Sequence, residues 1–234
     1  MTKHSIVLDS THTQAPTRDG PSGSQLPDKL PSPKEAKVAP TGAGGENASI
    51  FFIGTATTVV EWEGIRILTD PNFLHAGDHV HLGPGVTGTR QTNPAIDLNE
   101  LPRVDAVLLS HYHADHFDQK VEASLRRSLP IITTPHAKSH LTSKGPEESF
   151  SHVYDLDHYE DMFCDIKSNT SGSGRSPAIK VTGMPGKHVP PGPGGLMKAA
   201  NDLIGAVPPT NGWMLELGYK ASSGTDASFE NGYR

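Results

Sequence analysis

The sequence has a single cysteine and no long apolar run. Because Cys164 is alone, no intrachain disulfide can form within these residues, and the fold must be held by its core. Every apolar run is shorter than the roughly 18 residues that cross a bilayer, and the N-terminal run is too short for a signal peptide. We therefore expect a soluble, cytoplasmic protein, with peripheral membrane contact left open.

Positive charge is also scarce. The 234 residues carry 20 Lys and Arg against 26 Asp and Glu, a formal net charge of -6. Nucleic-acid-binding domains present basic patches, so we expect no nucleic-acid partner and instead a small-molecule or lipid substrate. Hydrophobic residues make up only 34%, beside 24 glycines and 20 prolines. This composition indicates that part of the chain lies outside a packed core.

Composition divides the chain in two. Residues 1–47 are rich in Pro, Ser, Thr and Gly and bury too little apolar surface to offset the entropy of ordering, so we predict a disordered leader there. We predict a folded domain over 48–234. Apolar runs such as "VDAVLLS" (104–110) predict strands, and "DQKVEASLRRSL" (118–129) predicts a helix with Asp118 as its N-cap. Strands flanked by helices indicate an α/β layered domain.

The strongest chemical signal is "SHYHADHFD" (110–118), directly after an apolar run. In an extended chain, side chains i and i+2 leave the same face, so His111 and His113 can converge on one ion. Asp115 and His116 follow at the turn into the predicted helix and can serve a second ion about 3.5–4 Å away. Burying this cluster without an ion would cost ~1–3 kcal/mol per unpaired group. The sequence therefore predicts a metal centre, whose ligands suit Zn, Mn or Fe.

These nine residues are similar to the His-x-His-x-Asp-His signature of the metallo-β-lactamase superfamily. The resemblance extends from about Ile50 to Tyr219 and includes "FFIGTATTVVEWEGIRILTDPNF". Within the superfamily, the chain resembles the branch of N-acylphosphatidylethanolamine phospholipase D and the ascorbate-6-phosphate lactonases. The resemblance implies an αββα sandwich with one or two zinc ions. It also implies phospholipase D-like hydrolysis of an N-acylphosphatidylethanolamine-type lipid through a metal-bound hydroxide, with a sugar-phosphate lactonase as the alternative.

The resemblance also implies roles for individual residues. It assigns five side chains to the metal centre: His111, His113, Asp115, His116 and His188. His188, in "VTGMPGKHVPPG", would complete the first site with His111 and His113. Asp115 would bind the second ion with His116 and would also orient the nucleophile or accept its proton. Asp70, in "LTDP", matches an acidic motif that holds the loop rather than the metal.

The family pattern also has parts that this sequence does not match. It continues with a strand ending in Gly-Asp-Thr, whose aspartate bridges the two ions, and with a further C-terminal histidine. Neither motif precedes the last residues, "SFENGYR". We therefore expect a C-terminally truncated domain that holds the first half and the start of the second half of the sandwich. The second hypothesis is therefore that the chain is a catalytically impaired metal-binding fragment or an interaction protein.

Two weaker signals remain. A helix is predicted over Leu196–Val207, and both a lid or groove for an acyl chain and ordinary packing on the domain are open for it. Two groups of histidines could contact a substrate or an extra ion, but a solvated surface position is the favoured prediction for both: His75, His79 and His81 in a loop, and His136 and His140 in a helix.

Overall fold

The structure is a computed structural model that describes residues 2–19, 26–37, 47–83, 85–167, 176–189, 193–204, 207–220 and 229–233. The strands are β1 (Thr2–Asp9), β2 (Ser49–Gly54), β3 (Thr57–Trp62), β4 (Ile65–Thr69), β5 (His79–Gly83), β6 (Val86–Thr89), β7 (Ala106–Leu108), β8 (Ile131–Thr133), β9 (Val153–Asp155), β10 (Asp161–Lys167), β11 (Ser176–Pro185), β12 (Asn211–Lys220) and β13 (Phe229–Tyr233). The helices are α1 (Gln119–Ser124), α2 (Pro135–Thr142) and α3 (Leu196–Ile204). None of the helices in the described residues is long and apolar enough to cross a membrane.

The first sheet has the strand order β2-β3-β4-β7-β8-β9. Strands β2, β3 and β4 form an antiparallel meander, whereas β4, β7, β8 and β9 are parallel neighbours. Parallel strands need crossover connections, and the helices α1 and α2 lie in two of these. The carboxyl ends of the parallel strands therefore meet at one edge of the sheet, and four of the five predicted metal ligands follow β7 there.

The second sheet has the order β1-β10-β11-β12-β13. One core lies between the sheets and includes Ile67 and Leu108 from the first sheet and Cys164 and Val181 from the second. A second core lies under the helices, on the outer face of the first sheet. The apolar runs pack on both faces, as expected for buried parallel strands. This arrangement confirms the predicted α/β layered fold.

The N-terminal residues differ from the sequence expectation. Residues 2–9, which we assigned to the disordered leader, form β1 and pair in parallel with β10. The reason lies in local alternation: Leu8 is 3% exposed and packs between the sheets, with the partly buried Ile6 beside it. The first proline is Pro16, so the composition that predicts disorder begins only after the strand. Residues 20–25 and 38–46 lie outside the described residues, and the boundary near residue 47 stays a prediction.

A pair of substitutions in β1 tests its contribution to the fold. Leu8→Ala should lower the free energy of unfolding by about 2–5 kcal/mol, because a buried leucine is removed from the core. Val7→Ala is the matched control, since Val7 is 68% exposed and should change the stability by only about 0.5 kcal/mol. Urea unfolding followed by circular dichroism measures both. Equal stabilities for the two variants would contradict the packing of β1.

Candidate metal centre

Asp70 connects the end of β4 to the end of β7, where the site lies. It follows β4, and its backbone N–H donates to the carbonyl of Leu108 at 3.1 Å. Its Oδ1 accepts from the backbone N–H of Ser110 at 2.7 Å. Asp70 is buried and has a left-handed backbone with φ of 33°, a conformation that Asp and Asn tolerate better than most residues. The carboxylate therefore fixes where the chain leaves β7 and enters the histidine-rich segment.

The five predicted metal ligands come together at this edge. One ligand atom from each of His111, His113 and Asp115 lies within 4.8 Å of the others. The ring centroid of His116 lies 4.3 Å from that of His111, and the ring centroid of His188 lies 4.8 Å from it. His188 follows β11 by a short turn, as its position in the sequence predicts. His111 is thus central to the cluster.

His111 has the features of a side chain that can bind a metal ion. Its side chain is buried, and its Nδ1 lies 2.9 Å from Ser110 Oγ and 3.3 Å from Thr210 Oγ1. Its Nε2 is buried and has no hydrogen-bond partner among the described residues. Burial, together with the positive charges of His116 and His188, lowers the pKa of His111 to about 3. A neutral imidazole with a buried, free nitrogen fits a bound metal ion.

His116 is held by Asp70. Its Nδ1 lies 3.0 Å from Asp70 Oδ2, and its Nε2 lies 4.0 Å from Asp115 Oδ2. Burial opposes the charged form of His116, but the hydrogen bond and charge of Asp70 outweigh it and raise the pKa. Both oxygens of Asp70 are engaged, one by Ser110 and one by His116. A carboxylate that orients a histidine in this way is common beside metal ligands.

Asp115 and His113 form a close pair. Asp115 Oδ1 lies 2.5 Å from His113 Nδ1, and Asn72 Nδ2 donates to the backbone carbonyl of Asp115 at 2.8 Å. Burial favours the neutral acid, but the hydrogen bond with His113 and the charge of His116 prevail, so the pKa of Asp115 is lowered. Asp115 is therefore a carboxylate at neutral pH. The other ring nitrogen of His113 lies 3.3 Å from the carbonyl of Leu82, so the hairpin of β5 and β6 borders the site.

Two side chains near His111 were not predicted from the sequence. Ser110 Oγ lies between two rings, 2.9 Å from His111 Nδ1 and 3.4 Å from His116 Nδ1. Thr210 reaches the same ring from the loop before β12, and the neighbouring Asn211 N–H donates to the Ser110 carbonyl at 3.0 Å. Ser110 could have been found as the first residue of the motif. Nothing in the local sequence marks Thr210, because the second sheet brings it there.

Tyr112 also holds the histidine-rich loop in place. The Tyr112 hydroxyl donates to the Glu122 carboxylate at 2.9 Å and accepts from Lys144 Nζ at 2.9 Å. Glu122 is 8% exposed and forms an ion pair with Lys144. Tyr112 lies between two of the predicted ligands in the chain, and its side chain points away from them. This network therefore anchors the histidine-rich loop to α1 and to the end of α2.

His75, His79 and His81 take no part in the cluster of five. His75 Nε2 pairs with Asp97 at 2.9 Å, and His79 Nδ1 lies 3.0 Å from Thr89 Oγ1. His81 is exposed. All three are exposed, as the sequence predicts, but His79 and His81 lie in β5 and not in the predicted loop, because this segment pairs with β6.

Comparison with protein families decides the assignment. Residues 65–208, well over half of the chain, match the beta-lactamase superfamily domain. The chain belongs to the metallo-β-lactamase superfamily. The match contains β4, the histidine-rich loop and His188, which are the parts that carry the resemblance in the sequence. The predicted superfamily is therefore confirmed.

Relatives of this superfamily member include two phospholipases. The chain is 34% identical over 96 residues to the mitochondrial N-acyl-phosphatidylethanolamine-hydrolyzing phospholipase D of Saccharomyces cerevisiae, covering 40% of this chain and 20% of that protein. It is 30% identical over 82 residues to N-acyl-phosphatidylethanolamine-hydrolyzing phospholipase D 1 of Caenorhabditis elegans, covering 35% of this chain and 22% of that protein. The matches thus span about a fifth of the length of these relatives. A possible metal-dependent hydrolase from Veillonella parvula DSM 2008 is 18% identical, with a TM-score of 0.49, covering 74% of this chain and 58% of that one.

Proposed function

We propose that this chain carries the metal centre of a zinc-dependent phosphodiesterase that acts on an N-acylphosphatidylethanolamine-type lipid. The observation that carries the proposal is the buried Nε2 of His111, which has no partner among the described residues, in a ring surrounded by four other ligand-type side chains. The names of the yeast and nematode relatives support the substrate class. The superfamily match supports hydrolysis as the reaction.

By resemblance to the superfamily, the residues of the site divide into two groups. His111, His113 and His188 would hold a first ion, and Asp115 with His116 a second. When bound, zinc supplies an activated water and polarises the phosphoryl oxygen. Asp115, whose pKa is lowered, would remain ionised and orient the attacking water through its carboxylate. Outside this set, Asp70 holds His116 and Ser110 holds His111 in the orientation that leaves Nε2 free.

Helix α3 supports an apolar substrate. It begins eight residues after His188, and its Leu196 and Leu203 are 72% and 88% exposed. Residues seven apart lie on the same face of a helix, so the two leucines form one exposed apolar strip. A helix that only packed on the domain would bury such side chains. The exposed strip favours contact with an acyl chain, which is the lid or groove alternative for this segment.

A double substitution on α3 tests the lipid substrate. Leu196→Gln/Leu203→Gln should raise KM for a long-chain N-acylphosphatidylethanolamine by roughly tenfold or more, because each leucine contributes up to ~1.5–3 kcal/mol of apolar contact. Hydrolysis of a short, soluble phosphodiester should be unchanged. Val7→Gln is the matched control, since Val7 is an exposed apolar residue on the edge strand β1. An equal loss on both substrates would contradict an acyl-chain contact.

The metal and the reaction are measured on the same protein. Elemental analysis should find at least one zinc ion per chain, and the zinc-loaded protein should hydrolyse the lipid phosphodiester. Faster hydrolysis of a sugar-phosphate lactone would select the lactonase alternative. Bound zinc with no turnover of either substrate would select the non-catalytic, metal-binding hypothesis. A protein that binds no metal would overturn the assignment of the centre itself.

A further inference from the structure

A second pair of histidines lies on α2, outside the cluster described above. His136 and His140 are four residues apart, and their Nε2 atoms lie 3.3 Å from each other. Their ring centroids are 4.6 Å apart, with the ring planes inclined at 54°. Residues at this spacing are neighbours on one face of a helix. The two Nε2 atoms are therefore within hydrogen-bonding distance of each other, and close enough to share one ligand.

The scaffold under this pair is fixed. Thr134 caps the helix by accepting from the backbone N–H of Ala137 at 3.1 Å, and Pro135 occupies the first turn. Ala137 and Leu141 are fully buried in the core beneath the first sheet. The ring of His140 stacks on Tyr112 with an interplanar angle of 6° and a centroid distance of 5.1 Å. The helix backbone and the ring of His140 are therefore already held in place, which lowers the entropy cost of binding a cation there.

The distance between the two Nε2 atoms matches the distance between two nitrogens that bind the same metal ion. Two nitrogens at about 2.0–2.1 Å from a tetrahedral zinc ion lie roughly 3.3–3.4 Å apart. We propose that His136 and His140 form a peripheral site for a borderline divalent cation such as Zn²⁺, Cu²⁺ or Ni²⁺, with water in the remaining positions. Imidazole is a ligand that these ions share. The site is separate from the cluster around His111 and does not depend on the proposed hydrolysis.

The surroundings leave the Nε2 atom of His136 accessible to a cation. The Nδ1 of His136 is buried without a partner among the described residues, so Nε2 is the nitrogen available for an outside ligand. Burial, with the neighbouring His140, lowers the pKa of His136, which keeps that ring neutral at pH 7. The two nearby ammonium groups are engaged by carboxylates, Lys138 by Asp155 and Lys144 by Glu122. Their charges are therefore compensated and do not repel an ion at the helix surface.

The test uses the full chain with its catalytic centre already loaded with zinc and the excess removed. Isothermal titration with Zn²⁺ should show one further binding event per chain. His136→Ala and His140→Ala should each weaken that event by at least roughly tenfold, because one of two protein ligands is lost. His152→Ala is the control, since His152 is exposed and is not paired with another histidine. Mg²⁺ should give no event, because it prefers oxygen ligands.

Two further measurements keep the outcome unambiguous. Thermal unfolding of each variant without added metal establishes that the fold is intact, and hydrolysis by the zinc-loaded variants should equal that of the parent chain. Added Zn²⁺ should raise the melting temperature of the parent chain and of His152→Ala, but not of the two helix variants. The proposal is overturned if the event is absent from the parent chain, or if it survives both helix substitutions.

Discussion

Replacing His111 by alanine should empty the metal centre and lower hydrolysis by at least ~100-fold. His111 is central to the cluster, and its buried Nε2 has no partner among the described residues. Substitutions of residues that merely support ligands cost roughly 10–100-fold in metal affinity or activity, and a ligand itself should cost at least as much. Zinc content per chain and the rate on a soluble phosphodiester are measured together, so that metal loss and activity loss can be compared.

The control for this variant is another histidine of the same chain. His152→Ala removes an exposed imidazole that contacts Ser151 Oγ at 3.1 Å and lies outside the cluster. It should retain the zinc content and the rate of the parent chain. If His111→Ala kept its full complement of zinc, His111 would not be a ligand. If it lost the zinc yet hydrolysed the substrate normally, the metal would have no part in the reaction.

Substitutions of Asp70 should separate its two roles. Asp70→Ala leaves the buried N–H of Ser110 without its acceptor, which costs about 1–3 kcal/mol of stability, and also frees His116. Asp70→Asn keeps an oxygen that can accept from Ser110, and asparagine tolerates the left-handed backbone at this position. The amide lacks the charge that holds His116, however. We therefore expect zinc affinity to fall roughly 10–100-fold in both variants, with stability restored only in Asp70→Asn.

This pair of variants is measured by urea unfolding of the metal-free protein and by zinc competition with a chromophoric chelator. Asp70→Ala with the parent chain's stability would mean that the contact with Ser110 contributes nothing to the fold. Asp70→Asn with the parent chain's zinc affinity would mean that the charge beside His116 is dispensable. Either result would remove one of the two roles.

The local features of the site could be predicted from the sequence because they are set by spacing along the chain. The i and i+2 positions of His111 and His113 after an apolar run were sufficient to predict that the two side chains lie close together. Asp118 was predicted as the N-cap of α1, and its carboxylate accepts from the Val121 N–H at 2.9 Å. The same carboxylate also accepts from the Phe73 N–H at 2.8 Å, which the sequence did not predict. A cap depends on neighbours in the chain, whereas the second bond crosses between loops.

The sequence by itself therefore determined the superfamily, the buried strand that precedes the histidine-rich loop, and the residue types of the predicted ligands. The tertiary structure decided which distant groups support those ligands: Asp70 from the neighbouring strand end, and Thr210 from the second sheet. It also decided that residues 2–9 belong to that sheet, against the composition of the segment around them. The physical reason is that spacing along the chain fixes contacts within a few residues. Contacts between strand ends and between sheets depend on strand order and register, which many different sequences can encode.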